Sequence, residues 1–145
     1  MRGEEARRMG YEEFLAQVPL FANCSPEEIA AIAAISRQDS FEPDEVIVTQ
    51  GTPGQAFYLI LSGRVEILRD ESSLGTFGPG DFFGEMSLLD QAPRSATIRA
   101  FEPTTCLMLA AQDLRMLLES VPSIALRLLE VLCRRLRVTG ERLGQ

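Results

Sequence analysis

Histidine, lysine and tryptophan are absent from these 145 residues, and all fourteen basic residues are arginines. The missing histidine removes His-based general acid–base chemistry, Ser-His-Asp and Cys-His triads, and most zinc and haem sites. Cysteine is scarce: Cys24, Cys106 and Cys133 stand far apart with no CxxC spacing. They read as buried free thiols in a reducing compartment, with no metal or iron–sulfur site expected. No apolar run approaches the roughly 20 residues that span a bilayer. The charged N-terminus, MRGEEARRMG, lacks the apolar core of a signal peptide. A cytoplasmic protein without a membrane partner is expected. The net charge of −7 makes direct nucleic-acid binding by these residues unfavourable.

What is present is ordinary for a folded soluble chain: 46% hydrophobic residues, 24% charged ones, and length enough for one real core. Tyr11 to Val18 reads as a short amphipathic helix interrupted at Pro19. Ser25-Pro26-Glu27-Glu28 then announces a second helix, with Ser25 as cap, Pro26 in the first turn and Glu28 closing a capping box. That helix stops near Ser36. From Arg37 the pattern becomes short β-branched or aromatic runs: 46–50, 56–62, 64–69, 74–77, 95–101 and 104–110. Turn signals separate them, and Gly78-Pro79-Gly80-Asp81 fits a type II turn. This density of strands predicts a mainly β fold, an antiparallel jelly-roll barrel with flanking helices.

Helical periodicity returns over 111–120, breaks at Pro122 and resumes over 123–143. Ile124, Leu128, Leu132, Leu136, Thr139 and Leu143 form a narrow stripe suited to packing on the barrel or against a second copy. The expectation is a single domain over 1–145. Helices occupy 1–36, the barrel 37–110, and a long C-terminal pair of helices 111–143.

The chemistry concentrates in FFGEMSLLDQAPRSATI, residues 82–98, where Arg94 follows Glu85 by nine positions. On these residues alone, the pair is either a solvated ion pair worth about 0–1 kcal/mol or part of a ligand site. A short helix over 84–90 would offer backbone N–H groups beside Gly84 to an anion. Arg94 could add its guanidinium fork and Ser95 a hydroxyl. Glu85, being negative, suits a sugar hydroxyl rather than phosphate. With one strongly basic residue and no GxxxxGK[ST] loop, the segment matches one phosphate charge better than a triphosphate.

FGEMSLL followed by PRSATI resembles the phosphate-binding cassette of cyclic-nucleotide-binding domains, here over 82–97. The resemblance runs from PLF (19–21) through SGRVEIL and GPGDFFGE to the closing helix. It implies that Glu85 meets the ribose 2′-hydroxyl, while Arg94 and Ser95 meet the cyclic phosphate. Backbone N–H groups of Gly84, Met86, Ser87 and Ala96 would help, and Ile67, Leu74 and Phe77 would line the pocket. CRRLRVTGERLG (133–144) further resembles the dimerisation helix of bacterial catabolite activator (cAMP receptor) proteins. That likeness places Arg135 and Thr139 at the adenine, and Gly140 where the activators carry a serine. The activators continue into a helix-turn-helix domain, whereas this sequence ends at Gln145.

The resemblance implies a non-catalytic sensor of a 3′,5′-cyclic nucleotide, cAMP favoured over cGMP. It would need no further cofactor and no metal, would pair as a homodimer through the last helix, and would signal by moving that helix. It could be the sensor part of a transcription regulator. The competing reading is a stand-alone interaction module of the same fold that binds no cyclic nucleotide. Without a contact to the base, Arg134, Arg135 and Arg137 would be a solvated basic face near a helix C-terminus.

Overall fold

The structure, a computed structural model, describes residues 2–85 and 91–142. Its contacts gather into two compact units: Ile35–Arg115, which carries the strands, and the segments before and after it, which are helical.

In the helical unit, α1 spans Arg2–Gln17, a 3-10 turn covers Pro19–Phe21, and α2 spans Pro26–Ile35. Helix α1 therefore begins well before Tyr11. Only its C-terminal part has the apolar spacing that identifies a helix, and Leu15 there is buried, as is Val18 just beyond the helix end. The preceding RGEEARRMG has no apolar stripe for a periodicity argument to find. Helix α2 starts as its sequence dictates: Glu28 N donates to Ser25 Oγ at 3.1 Å, and Ser25 N donates to Glu28 Oε1 at 2.7 Å. Such a reciprocal box satisfies two otherwise orphaned helix donors. Later in the chain, α3 (Ala111–Ser120) and α4 (Pro122–Arg142) meet at the expected break. Helix α4 packs on the Pro19–Phe21 turn.

The stripe expected on the last helix divides. Ile124 and Leu128 are buried, Leu132 is half-buried, and Leu136 is 72% exposed. Leu126, Leu129 and Cys133 are also exposed. The free thiols differ accordingly: Cys106 is buried, Cys24 half-buried and Cys133 on the surface, so the expectation of three buried cysteines holds for one.

Among the described residues the strand unit holds eight strands: β1 Arg37–Phe41, β2 Val46–Val48, β3 Ala56–Ser62, β4 Val65–Arg69, β5 Ser72–Phe77, β6 Phe82–Phe83, β7 Thr97–Ala100 and β8 Thr104–Ala110. They pair as two four-stranded antiparallel sheets, β1-β8-β3-β6 and β2-β7-β4-β5. The described ladders thus give two separate sheets where the sequence suggested one barrel. Two strands escaped the sequence pattern. RQDSF of β1 is polar and mostly exposed, and it is a strand because it pairs with β8 along its whole length. Phe82–Phe83 is too short to show any period. The 95–101 run contributes only Thr97–Ala100, which leaves Ser95 in the preceding loop.

Residues from both sheets meet in one core cluster of Ile60, Val65, Phe83, Ile98 and Cys106, against which Tyr58, Ile67 and Phe77 pack. Register explains the selection. Val65 lies opposite Phe77, and Ile67 opposite Ile98, so these side chains share the inner face. Leu74 falls at the register shift between Ile67 and Leu68, and it is 37% exposed. Truncating a fully buried residue such as Ile60 to alanine would cost about 2–5 kcal/mol. Among the described residues, no helix is long and apolar enough to cross a membrane.

Candidate functional site

The GPGD turn delivers the chain to the site. Asp81 N donates to Gly78 O at 3.0 Å, and Gly80 takes φ +89°, the left-handed value that the third position of a type II turn requires. Strand β6 follows, and its side chains are anchored by two ring contacts. Phe82 lies 5.5 Å from Phe57, and Phe83 stacks on Tyr58 at 4.9 Å. Gly84 comes next, at φ +94°. A Cβ there would sit 2.7 Å from both Ala56 O and Arg94 Nη1, so a side chain is excluded by space as well as by conformation.

That close approach is what brings Arg94 in. Its Nη1 donates to Gly84 O at 2.9 Å and its Nη2 to Ala56 O at 2.8 Å. Both Arg94 and Glu85 are buried, at 6% and 3% relative exposure. The pair is therefore not a solvated surface bridge. Charges taken out of water need compensation, and here the guanidinium receives it from two carbonyls. Burial pushes the Arg94 guanidinium below its ordinary value, while the neighbouring Tyr58 and Glu85 act in the opposite direction. It stays cationic at neutral pH. Among the described residues, these bonds engage one N–H of each terminal nitrogen of a fork that carries five donors.

The main chain of Arg94 is also fixed. Its N–H donates to Thr52 O and its carbonyl accepts from Gly51 N, both at 2.8 Å. Ser95 is exposed, with its carbonyl accepting from Arg69 Nε at 3.1 Å, and Ala96 is half-buried. The structure thus brings Gly84, Glu85, Arg94, Ser95 and Ala96 together on one stretch of the strand unit. Met86, Ser87 and most of the helix expected over 84–90 lie outside the described residues. Arg135 is half-buried on α4, with Arg134 and Arg137 exposed, and the side chain of Thr139 lies outside the described ones.

Sequence reasoning missed three contributors. Tyr58 sits close enough to influence the Arg94 charge. Ala56 supplies only a carbonyl, which no residue-type argument can find. The turn after β2 was expected only from Gly51 onward, with Thr49 and Gln50 counted in the strand, and not as the support of Arg94. Among the described residues, no cluster of three or more His, Cys, Asp or Glu side chains could hold a metal ion.

Fold and site together define a class: antiparallel sheets that hold a buried arginine beside a buried carboxylate on a glycine turn. The family described as the cyclic nucleotide-binding domain matches residues 38–121, and the chain belongs to that family. It is 40% identical over 124 residues to the Cyclic AMP receptor protein of Thermus thermophilus, covering 82% of this chain and 57% of that protein. It is 35% identical over 144 residues to a cAMP-dependent protein kinase regulatory subunit of Hypocrea atroviridis, covering 99% of this chain and 29% of the relative. The crystal structure of Thermus thermophilus catabolite activator protein superimposes with a TM-score of 0.79 at 38% identity, covering 86% of this chain and 61% of that one. The chain therefore spans under two thirds of each of these relatives.

Proposed function

We propose that this chain is a non-catalytic sensor domain for a 3′,5′-cyclic nucleotide, with cAMP favoured over cGMP. The carrying observation is the buried Arg94, seated on two carbonyls beside buried Glu85. One buried cation suits the single charge of a cyclic phosphate. Arg94 and Ser95 hold that phosphate with backbone N–H groups of Gly84, Met86, Ser87 and Ala96, and Glu85 accepts from the ribose 2′-hydroxyl. Ile67, Leu74 and Phe77 line the pocket, and Arg135 and Thr139 are the candidates for the base. The two sheets are read as a jelly roll. The last helix carries the signal and pairs with a second copy, through Leu126, Leu129, Cys133 and Leu136. The names of the Thermus thermophilus and Hypocrea atroviridis relatives support cAMP as ligand.

Titration calorimetry tests the reading. Arg94→Ala should weaken cAMP binding by about 3–5 kcal/mol, because it removes one partner of a buried charged contact. Parental affinity in that variant would overturn the assignment. The exposed leucines of α4 favour a second reading, a stand-alone interaction module. A flat trace for the parent with both cAMP and cGMP would select it.

A further inference from the structure

Three segments distant in sequence converge behind Arg94. The first is the turn after β2, whose Gly51 and Thr52 bind both main-chain groups of Arg94. Gln50, in the same turn, donates its N–H to Thr97 Oγ1 at 2.9 Å. The second is the tip of the β4–β5 hairpin. There Asp70 N donates to Gln50 Oε1 at 2.9 Å, and Gln50 Nε2 donates to Asp70 Oδ1 at 3.0 Å. The third is the 94–97 segment itself, to which Arg69 of the hairpin returns by donating Nε to Ser95 O at 3.1 Å. The contacts close a ring through 50–52, 69–70 and 94–97.

Two features argue that this ring serves orientation. Asp70 and Glu71 adopt φ +51° and +70°, the paired positive values of a tight two-residue hairpin turn between β4 and β5, and Gln50 grips that turn through both the Asp70 N–H and its carboxylate. The side chains involved are also polar, and Arg69 and Asp70 are exposed, so burying apolar surface does not explain their arrangement. Glutamine has the one chemistry the place demands: an amide both accepts from the Asp70 N–H and donates to its carboxylate.

We propose that Gln50, with Asp70 and Arg69, is a positioning clamp that sets where Arg94 and Ser95 stand relative to the ligand phosphate, a role that rests on the function proposed above. A site left loose by a fraction of an ångström loses its advantage, and supporting residues prevent that. The clamp links the β4–β5 hairpin to the anion-binding residues without touching ligand.

Calorimetry with cAMP on the full chain, with thermal unfolding as a folding check, tests the clamp. Gln50→Ala should bind about tenfold more weakly, the loss expected for a pair of net hydrogen bonds. Asp70→Asn, which keeps an acceptor for Nε2, should bind like the parent. In an Arg94→Lys, Ser95→Ala background, Gln50→Ala should add little, because the clamp acts through the residues already altered. Additive losses would mark general loosening and overturn the clamp. If Gln50→Ala does not fold, Arg69→Ala, at an exposed position, carries the test with a several-fold loss expected. Parental affinity in folded Gln50→Ala, or in Arg69→Ala where it carries the test, alongside a weakened Arg94→Ala, would overturn the clamp alone. Parental affinity in Arg94→Ala would overturn the site reading and the clamp with it.

Discussion

The two units depart from the ordinary inside–outside rule in opposite directions. The strand unit buries charge: Glu85 and Arg94 are among its least exposed residues. The helical unit exposes bulk: Leu126, Leu129 and Leu136 are 60%, 59% and 72% exposed on one helix. Each departure costs free energy in the isolated chain, the first through desolvation and the second through apolar contact with water. They point to different kinds of partner. A buried cation on a glycine turn can be completed by a small anion that enters the site. A row of exposed leucines suits the surface of another macromolecule.

The sharpest way to break this comparison is to remove the charge on the small-ligand side. With Glu85 as acceptor for the ribose hydroxyl, the parent should bind cAMP more tightly than 2′-deoxy-cAMP. The gap should be about tenfold to a hundredfold, since hydrogen bonds to charged groups contribute roughly 1.5–3 kcal/mol. Glu85→Ala should bind both nucleotides with the weaker affinity. If the variant still prefers cAMP by the parental ratio, Glu85 is buried for some other reason.

How much of this was legible in sequence depended on whether a feature was local. The Ser25–Glu28 box and the GPGD turn involve residues three apart, and both form as their residue types dictate. The 82–98 segment stood out because Gly84, Glu85, Arg94 and Ser95 concentrate unusual chemistry within a dozen residues, and Arg94 does reach Gly84 beside buried Glu85. Strand β1 was not, because RQDSF becomes a strand only by pairing with a segment some 65 residues away. The seat of Arg94 was equally hidden, since a carbonyl of Ala56 has no sequence signature. The last helix was half legible. Its leucine periodicity is real, but which leucines face inward depends on the Pro19–Phe21 turn against which α4 packs.

The apolar side of the comparison carries an effect of intermediate size. Leu126, Leu129, Cys133 and Leu136 are spaced by three, four and three residues, the alternation of a two-stranded helical seam. Sedimentation of the parent should therefore report a dimer. Leu129→Glu should weaken that association by at least about tenfold, because each copy loses a buried side chain worth roughly 1.5–3 kcal/mol and gains a charge at the seam. Helix content should be unchanged, since Leu129 is exposed in the single chain. A parent that sediments as a monomer at all accessible concentrations would leave the exposed row to a different partner.

The smallest effect near neutral pH concerns a buried neutral group in the apolar core of the strand unit. Cys106 is fully buried in the strand core, and burial, with a lesser contribution from Asp39, pushes its thiol from 9.0 up to about 12. The folded state thus keeps a proton that the unfolded state releases. Stability from this residue is complete below pH 9 and is lost as pH rises toward about 12, by up to about 1.4 kcal/mol per pH unit. Urea midpoints for the parent should be level in this respect from pH 7 to 8 and fall above 9, whereas Cys106→Ala should show a shallower fall. Equal slopes in Cys106→Ala and the parent would mean that the thiol ionises as readily folded as unfolded, which a fully buried position in an apolar cluster does not permit.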